Sequence, residues 1–419
     1  MNNTFLTDDT NAVLLLCGVF GKERDVKPLT QTEYNALMRW LILSKMRPGD
    51  LLQKDPAEKA AQSSGVERDR LVSLLGRGVQ LGFSVEEWQR SGLWVISRSD
   101  SDYPARVKKH LKEKAPSLLF GAGERSLLSG GGLAIVGSRN IDEAGEAFAK
   151  KSGELCAEAG LPVVSGGARG VDRLAMSAAL DCGGAAIGIL AENLQRKSLE
   201  RNARYAISDG CLLLLSACHP TARFTVGNAM ARNKLIYAMA DFGLVVSADH
   251  KKGGTWAGAE EELKRPHARP VFVRTGANVP SGNKKLLELG AVVWPHAVDP
   301  RRFKATLLSV AEEDRGREAF DLFDFSASNN VGNVEPLLQR VAEEPVEYNA
   351  SVAEKPLPAT VYEAVLPLIL VRLENPLTLD DLAEELGVLK KQLSIWLKQA
   401  VGEKKIKKIS RPVRYQKRI

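Results

Sequence analysis

Short apolar runs alternate with longer amphipathic segments through the middle of the chain. Six mainly apolar runs are too short for helices: residues 133–136, 163–164, 186–190, 212–215, 244–247 and 271–274. Segments of helix length lie between them, such as 143–159 and 172–181. Apolar strands separated by helices indicate a parallel sheet that is covered on both faces. The pattern predicts a doubly wound, Rossmann-like α/β domain over residues 91–300, with its ligand site at the carboxyl ends of the strands.

The segments on either side of this domain have different patterns. Residues 1–90 place Leu, Met and Trp at helical spacing, for example over 33–44 and 68–76, and predict a small helical N-terminal domain. Residues 301–358 contain an acidic, polar stretch with little periodicity. We expect this stretch to be a flexible linker.

The last sixty residues again have the periodicity of a folded domain. Residues 362–373 predict one helix, Thr378 is placed to cap a second over 380–386, and 390–400 predict a third. Residues 404–416 then alternate Ile or Val with Lys or Arg, as in a β-hairpin. Together these elements predict a winged-helix domain over residues 359–419, in which Trp396 is a core residue.

Net charge suggests an anionic partner, and most of that charge lies near the end of the chain. The 419 residues carry a formal net charge of +7, while residues 387–419 alone contain eleven Lys or Arg and one acid. Six lysines on the predicted third helix and wing are candidates for phosphate contacts: Lys390, Lys391, Lys404, Lys405, Lys407 and Lys408. A solvated face, or a wing that binds another protein, is the alternative.

Cysteine and histidine positions predict neither a metal site nor a catalytic triad. The five cysteines form no C-x-x-C pair, and the five histidines show no spacing typical of metal ligands or of a nucleophile–base pair. The N-terminus is acidic and no run approaches membrane-spanning length. We therefore expect a cytoplasmic protein without metal, membrane anchor or enzymatic activity.

Two glycine turns follow predicted strands and carry the candidate chemistry. The first is Val136-Gly137-Ser138-Arg139, where a strand ends and a helix begins. Backbone amides and the helix dipole at such a junction favour an anion such as phosphate, and Arg139 adds a charged donor. A purely steric role for the glycine is the alternative.

The second turn, residues 165–172, reads Ser-Gly-Gly-Ala-Arg-Gly-Val-Asp. Its glycines permit close approach by a ligand, Arg169 is a candidate contact, and Asp172 is placed to cap the following helix. There is no G-x-G-x-x-G after the first strand and no P-loop lysine, so neither a dinucleotide cofactor nor ATP hydrolysis is expected.

These two turns resemble those of the DprA/Smf family of DNA-processing proteins. Further elements in the same order strengthen the likeness: Trp94-Val95-Ile96 with Asp102-Tyr103-Pro104, Ala231-Arg232-Asn233-Lys234, Gly253-Gly254-Thr255 before Ala259-Glu260, and Gly290-Ala291. The likeness covers about residues 90–296. The family's Tyr-Pro, Phe-Pro and histidine at three positions are missing, which indicates a divergent member.

The resemblance implies a homodimer that binds single-stranded DNA and passes it to a RecA-type recombinase during DNA uptake, with genome defence as another possible setting. By motif position it assigns ten residues to the DNA site: Ser138, Arg139, Gly166, Gly167, Arg169, Lys197, Arg232, Lys234, Gly254 and Thr255. For Arg232 and Lys234, pairing with nearby acids is the alternative.

Two other functions compete with DNA binding by the Rossmann-like domain. Gly253-Gly254-Thr255 with Glu260 and Glu261 also resembles the glycine turn and acid of LOG-type nucleoside-monophosphate phosphoribohydrolases. A nucleotide-binding site without catalysis is a variant of that interpretation. A transcription regulator that uses only the winged helix is the third, but it leaves the glycine turns unexplained.

Overall fold

A computed structural model describes residues 6–20, 26–53, 60, 65–276, 278–295 and 299–324. Towards the end of the chain it describes residues 366, 369–373, 376–385, 390–403, 405–409 and 414–417. The chain divides into two units, Met1–Asn330 and Val331–Ile419. Each unit is described separately below.

Helices open the first unit, as their periodicity predicts. They are α1 (Asp8–Cys17), α2 (Gln31–Leu43), α3 (Arg68–Leu75) and α4 (Gly78–Arg90). Helix α2 begins at a capping box in which Thr30 and Glu33 satisfy each other's backbone amides. Arg70 of α3 donates to Glu33 and, with the Thr30 amide, lowers the pKa of that carboxyl to about 2. This pair ties α3 to the start of α2.

A nine-stranded sheet forms the centre of the first unit. Its strands are β1 (Leu93–Ser97), β2 (Leu118–Gly123), β3 (Leu133–Gly137), β4 (Val163–Ser165), β5 (Ala186–Ile189), β6 (Leu212–Ser216), β7 (Phe242–Ser247), β8 (Val271–Val273) and β9 (Val292–Val293). Their order is β1-β2-β6-β5-β4-β3-β7-β8-β9. Strands β3 to β9 pair in parallel, whereas β1–β2 and β2–β6 pair antiparallel.

Helices cover both faces of this sheet, so the doubly wound fold is confirmed. The helices after α4 are α5 (Ala105–Leu111), α6 (Glu143–Glu158), α7 (Val171–Asp181), α8 (Leu194–Ser198), α9 (Arg201–Ser208), α10 (Val226–Met239), α11 (Gly253–Leu263) and α12 (Ser281–Leu287). Leu133 and Ile135 of β3 pack into one core with α6 and α7, while Ala134 and Val136 pack into the other with α10 and α11. The burial of β3 on both faces explains its unbroken apolar sequence.

Three strands lie outside the six runs predicted as strands. β1 and β2 add an antiparallel edge, and β9 closes the opposite edge. The pattern of apolar runs does not predict β2, because the second half of this strand is Gly-Ala-Gly. Packing explains Gly121: a Cβ there would lie 2.3 Å from the ring of Trp94 on the paired strand.

The prediction of a linker over residues 301–358 is wrong for its first part, because a helix forms there, α13 (Phe303–Asp324). Phe303, Leu307 and Ala311 recur at helical spacing and are buried in the core, and the Phe303 ring packs edge-on against Trp294 at 6.0 Å between centroids. This apolar face supplies the burial that holds the segment on the domain, although acids follow it in sequence. Residues 325–358 of the predicted linker lie outside the described residues.

The second unit contains α14 (Leu379–Glu385), α15 (Lys390–Gly402) and an antiparallel hairpin of β10 (Ile406–Ile409) and β11 (Arg414–Lys417). Thr378 accepts from the Asp381 amide at 3.2 Å, which confirms the predicted cap. Leu393, Leu397, Ile406 and other apolar residues form a core against which Trp396 packs. These are elements that a winged helix needs, and the winged-helix assignment itself stays a prediction.

Helix length and hydropathy also bear on the membrane question. Within the ranges described above, no helix is both long and apolar enough to cross a bilayer.

Truncating the buried face of α13 tests whether that helix belongs to the domain. Leu307 is fully buried, whereas its neighbour Leu308 is 44% exposed. We expect Leu307→Ala to lower the free energy of unfolding by about 2–5 kcal/mol in chemical denaturation, because a cavity replaces the side chain. Leu308→Ala, the control, should change it by about 0.5 kcal/mol or less. Equal, small effects would contradict the packing described here.

Candidate nucleic-acid interface

The candidate site lies where the direction of chain connection in the sheet reverses. From β3 the chain continues to β4 on one side, and it later returns to place β7 on the other side of β3. Such a switch point leaves a crevice beyond the carboxyl ends of the two strands, where ligands of open α/β sheets bind. Here the crevice is a cavity of about 470 Å³.

Several sequence-predicted residues line this cavity together. Ser138 and Arg139 come from the turn after β3, Arg232 from α10, and Gly254 and Thr255 from the start of α11. Lys252 precedes α11, and no side chain among the described residues caps that helix. Its first amides therefore lack partners within the helix and favour an anion.

A second hollow of about 370 Å³ adjoins the first and shares Arg139 and Arg232 with it. Gly166, Gly167 and Arg169 of the second turn line it, and so does Lys197 of α8. Thus nine of the ten residues assigned by motif position converge at one edge of the sheet. The exception is Lys234, which lines neither hollow and pairs with Glu261 at 3.1 Å.

Arg232 lies in the wall between the hollows and forms a buried ion pair. Its Nη1 is 3.4 Å from Oδ2 of Asp172, and the two side chains are 12% and 8% exposed. Asp172 also accepts from the backbone amides of Gly166 and Ala168. Burial raises the pKa of the Asp172 carboxyl, while Arg232 and these amides oppose that rise.

The sequence pattern predicts that Asp172 caps α7, and this prediction is wrong. The residue at the cap position is Gly170, and no side-chain cap is formed there. Asp172 instead turns back to the glycine turn and fixes its shape. Sequence spacing alone cannot distinguish these roles, because the second residue of a helix lies only two positions after its cap.

Two glycines of the second turn are required by close contacts. A Cβ at position 166 would lie 1.1 Å from Nη1 of Arg232. Gly170 has a φ of +88°, and a Cβ there would lie 2.4 Å from the carbonyl oxygen of Ser138. The glycines thus let the second turn pack against both Arg232 and the first turn.

Asn233 supports the other side of the crevice. Its Nδ2 donates to the carbonyl oxygen of Gly254 at 2.8 Å, which fixes α10 against the first turn of α11. Thr255 donates its hydroxyl to the Gly137 carbonyl at 3.1 Å and links α11 to the turn after β3. Arg232 and Asn233, adjacent in sequence, thus brace the two glycine-containing walls.

The exposed cations of the site are Arg139, Arg169, Lys197 and Lys252. The Arg139 guanidinium lies 5.9 Å from the ring centroid of Phe224. Arg169 donates to Oδ1 of Asn140 at 2.6 Å, and Lys197 pairs with Glu200, the residue before α9, at 2.8 Å. These side chains can meet phosphate oxygens at the surface, whereas Arg232 is committed to Asp172.

Sequence reasoning assigned no role in the site to Phe224, Lys252 or Asn233, although Asn233 lies in one of the family-like elements. Phe224 is 46% exposed beside Arg139, in a loop whose backbone is bound to α8 through Asn193 N to Ala222 O and Gln195 N to Pro220 O. For Phe224, the signal available in the sequence was an aromatic residue directly after Arg223. The position of this loop depends on tertiary contacts, among them His219 packed edge-on against Trp88 at 5.8 Å.

The geometry gives little support to the glycosidic hydrolase. Glu260 accepts from Trp256 Nε1 and pairs with Lys264, and Glu261 pairs with Lys234 and Arg265. Neither glutamate lines the 470 Å³ cavity, whose described carboxylates are Asp172 and Asp249.

The candidate lysines of the second unit are only partly described. Lys390 pairs with Asp380 at 3.0 Å and Lys405 with Glu403 at 2.8 Å, while Lys407 and Lys408 are exposed on β10. The side chain of Lys391 and all of Lys404 lie outside the described residues. Phosphate contact by this unit stays a prediction.

Fold and site together define a Rossmann-like α/β protein with an amide-rich, cationic crevice at its switch point. The family model described as DNA recombination-mediator protein A matches residues 94–300. Over this region the chain belongs to the DprA/Smf family.

Three known proteins illustrate the extent of the likeness. DNA processing protein DprA of Bacillus subtilis is 28% identical over 217 residues, which cover 49% of this chain and 70% of that protein. Protein Smf of Escherichia coli is 33% identical over 144 residues, covering 33% of this chain and 37% of that protein. The crystal structure of DNA processing protein A from Streptococcus pneumoniae superposes with a TM-score of 0.55 at 23% identity, covering 69% of this chain and 95% of that one, and so shares the fold.

The ion pair separates the role of Arg232 from that of exposed Arg139. We expect Arg232→Met to lower the free energy of unfolding by about 3–5 kcal/mol at neutral pH, since it leaves the Asp172 charge buried without its partner. Arg139→Met, the matched control, should be within about 0.5 kcal/mol of the wild type. Similar losses in the two variants would contradict the assignment.

The deficit of Arg232→Met should also depend on pH. The pKa of the Asp172 carboxyl is higher in the folded protein than its ordinary value of 3.8. Such a group contributes to stability when the pH is below 3.8, and this contribution is lost as the pH rises through the folded pKa. Removing Arg232 raises the Asp172 pKa further. Denaturation curves should therefore show a deficit that shrinks as the pH falls towards 3.8, and a deficit independent of pH would contradict this cause.

Proposed function

We propose that the chain is a DprA-type protein that binds single-stranded DNA at the carboxyl edge of the Rossmann-like sheet, without chemical conversion of the DNA. The observation that carries this proposal is the convergence of two glycine turns, the uncapped start of α11 and the exposed cations Arg139, Arg169 and Lys197 on two adjoining hollows. Backbone amides and cations in this arrangement bind phosphates whatever the base sequence.

A single strand fits these features better than a duplex. The cavity wall contains apolar side chains, among them Phe224, Val226 and Met230, beside the cationic mouth. An unpaired strand can place a base against such a wall while its phosphates face Arg139 and Lys252. In a duplex the bases are stacked and paired, so the apolar wall would stay unused.

The family relationship extends the proposal to the pathway. DprA/Smf relatives are named for DNA processing, and the matching family model for mediation of recombination. We infer that this protein acts as a homodimer in the cytoplasm and delivers the bound strand to a RecA-type recombinase. Co-purification of the recombinase with the protein only when single-stranded DNA is present would support delivery, and its loading rate unchanged by the protein would contradict it.

Arg139 is the residue whose loss tests the site most cleanly, because it is exposed and forms no salt bridge among the described residues. We expect Arg139→Ala to weaken binding of a labelled single-stranded oligonucleotide by about 10-fold or more in fluorescence anisotropy, from the loss of a charged contact. The slope of log affinity against log salt should fall by about 0.7. Arg301→Ala, at an exposed position on the turn before α13, is the control.

The same assay distinguishes the competing functions. Preference for single strands over duplex that is kept by a chain ending before position 359 supports the Rossmann-like site. Binding lost on this truncation but unaffected by Arg139→Ala would assign DNA binding to the second unit instead. Release of free base from a nucleoside monophosphate would contradict the non-enzymatic proposal.

A further inference from the structure

Helices α8 and α9 lead away from the DNA site along one exposed face. Lys197 of α8 lines the smaller hollow, and Arg201, Arg204 and Tyr205 follow on α9. Tyr205 is 61% exposed, although tyrosine usually places its ring against other groups. The Arg201 guanidinium lies 5.8 Å from the centroid of this ring. We call Arg201, Arg204 and Tyr205 the α9 strip.

Packing of the opposite face explains why the α9 strip points to solvent. Ala203, Ala206 and Ile207 pack against the core of the first unit. Arg201, Arg204 and Tyr205 fall on the other side of the helix at spacings of three and four residues, and all three are exposed. Exposure of the strip is therefore built into the amphipathic pattern of α9.

Charge along this segment is unbalanced. Residues 194–209 contain four cations and two acids, a net charge of +2. Lys197 pairs with Glu200, whereas Arg196, Arg201 and Arg204 form no salt bridge with any described residue. Two of these guanidinium groups, those of Arg201 and Arg204, share one face of α9 with the exposed ring of Tyr205, and such a surface suits an anionic, planar ligand.

The base of the strip is held in place before any ligand arrives. Gln195 of α8 donates to Ser91 Oγ at 2.9 Å and to Glu87 Oε1 at 3.2 Å, both at the end of α4. The backbone amide of Gln195 donates to the Pro220 carbonyl at 3.1 Å. Folding has already ordered this surface, so a DNA strand that binds there would not have to order it.

We propose that the α9 strip is a second contact surface for the same DNA strand, with a base stacked on Tyr205 and phosphates bound by Arg201 and Arg204. This inference rests on the proposed function. β5 ends at the carboxyl edge and α9 returns to the start of β6, so the strip continues from Lys197 away from the hollows. Tyr205 lies about 6 Å along the helix axis from Arg201.

Oligonucleotide length separates the strip from the hollows. We expect Tyr205→Ala to weaken binding of an oligothymidylate of about 16 nucleotides by about 5-fold or more, and to leave one of about 4 nucleotides unaffected, because a base–aromatic stack is lost only when the strand reaches the strip. Tyr205→Trp should restore long-strand binding. The control is Phe83→Ala, which removes an aromatic ring that is 70% exposed on α4.

Salt dependence tests the two arginines. Replacing Arg201 and Arg204 together by Gln should lower the slope for the long strand by about 1.4, and replacing Arg301 and Arg302 together by Gln should not, although it removes the same charge. Long-strand affinity unchanged by Tyr205→Ala would overturn the inference, and so would equal losses for short and long strands. If instead Arg139→Ala has no effect on either length, it is the proposed function that fails.

Discussion

The geometry of the site depends on one buried ion pair. Asp172 receives hydrogen bonds from the backbone of the second glycine turn and faces Arg232 of α10, so a single carboxylate connects two walls that the chain forms sixty residues apart. Burying both charges is costly unless their geometry is good and their remaining hydrogen-bonding capacity is met. The amides of Gly166 and Ala168 meet part of that need for Asp172. The pair therefore anchors the turn to α10.

From this fixed frame the other features of the site follow. Gly166 must lack a side chain because Arg232 occupies that space, and Asn233, the next residue, holds the start of α11. Arg232 is buried in this frame, whereas Arg139, Arg169 and Lys197 face solvent. The protein thus separates the cation that shapes the site from the cations that meet the ligand. An anion-binding edge with sequence-tolerant contacts is the result.

Much of the fold could be predicted because β3 and its parallel neighbours are buried on both faces, which makes them unbroken apolar runs. The edge strand β2 could not be predicted, since Gly121 is required by the ring of Trp94 on β1 and Gly123 by the Leu212 carbonyl on β6. Helix α13 was missed because its apolar face ends where an acidic segment begins. The order of the motifs in the sequence identified the turns that meet at the site. The different roles of Arg139 and Arg232 depend on burial, which the spacing of residues in the sequence does not reveal. Phe224 and Asn233 were missed for the same reason.

Hydrogen–deuterium exchange with and without single-stranded DNA tests the central claim most directly, because backbone amides are themselves the proposed phosphate ligands. The account predicts slower exchange on DNA addition in the three turns at residues 137–140, 166–170 and 252–256, with little change along the buried strands. Protection confined to the hairpin of the second unit, at residues 406–417, with none in these three turns, would contradict it.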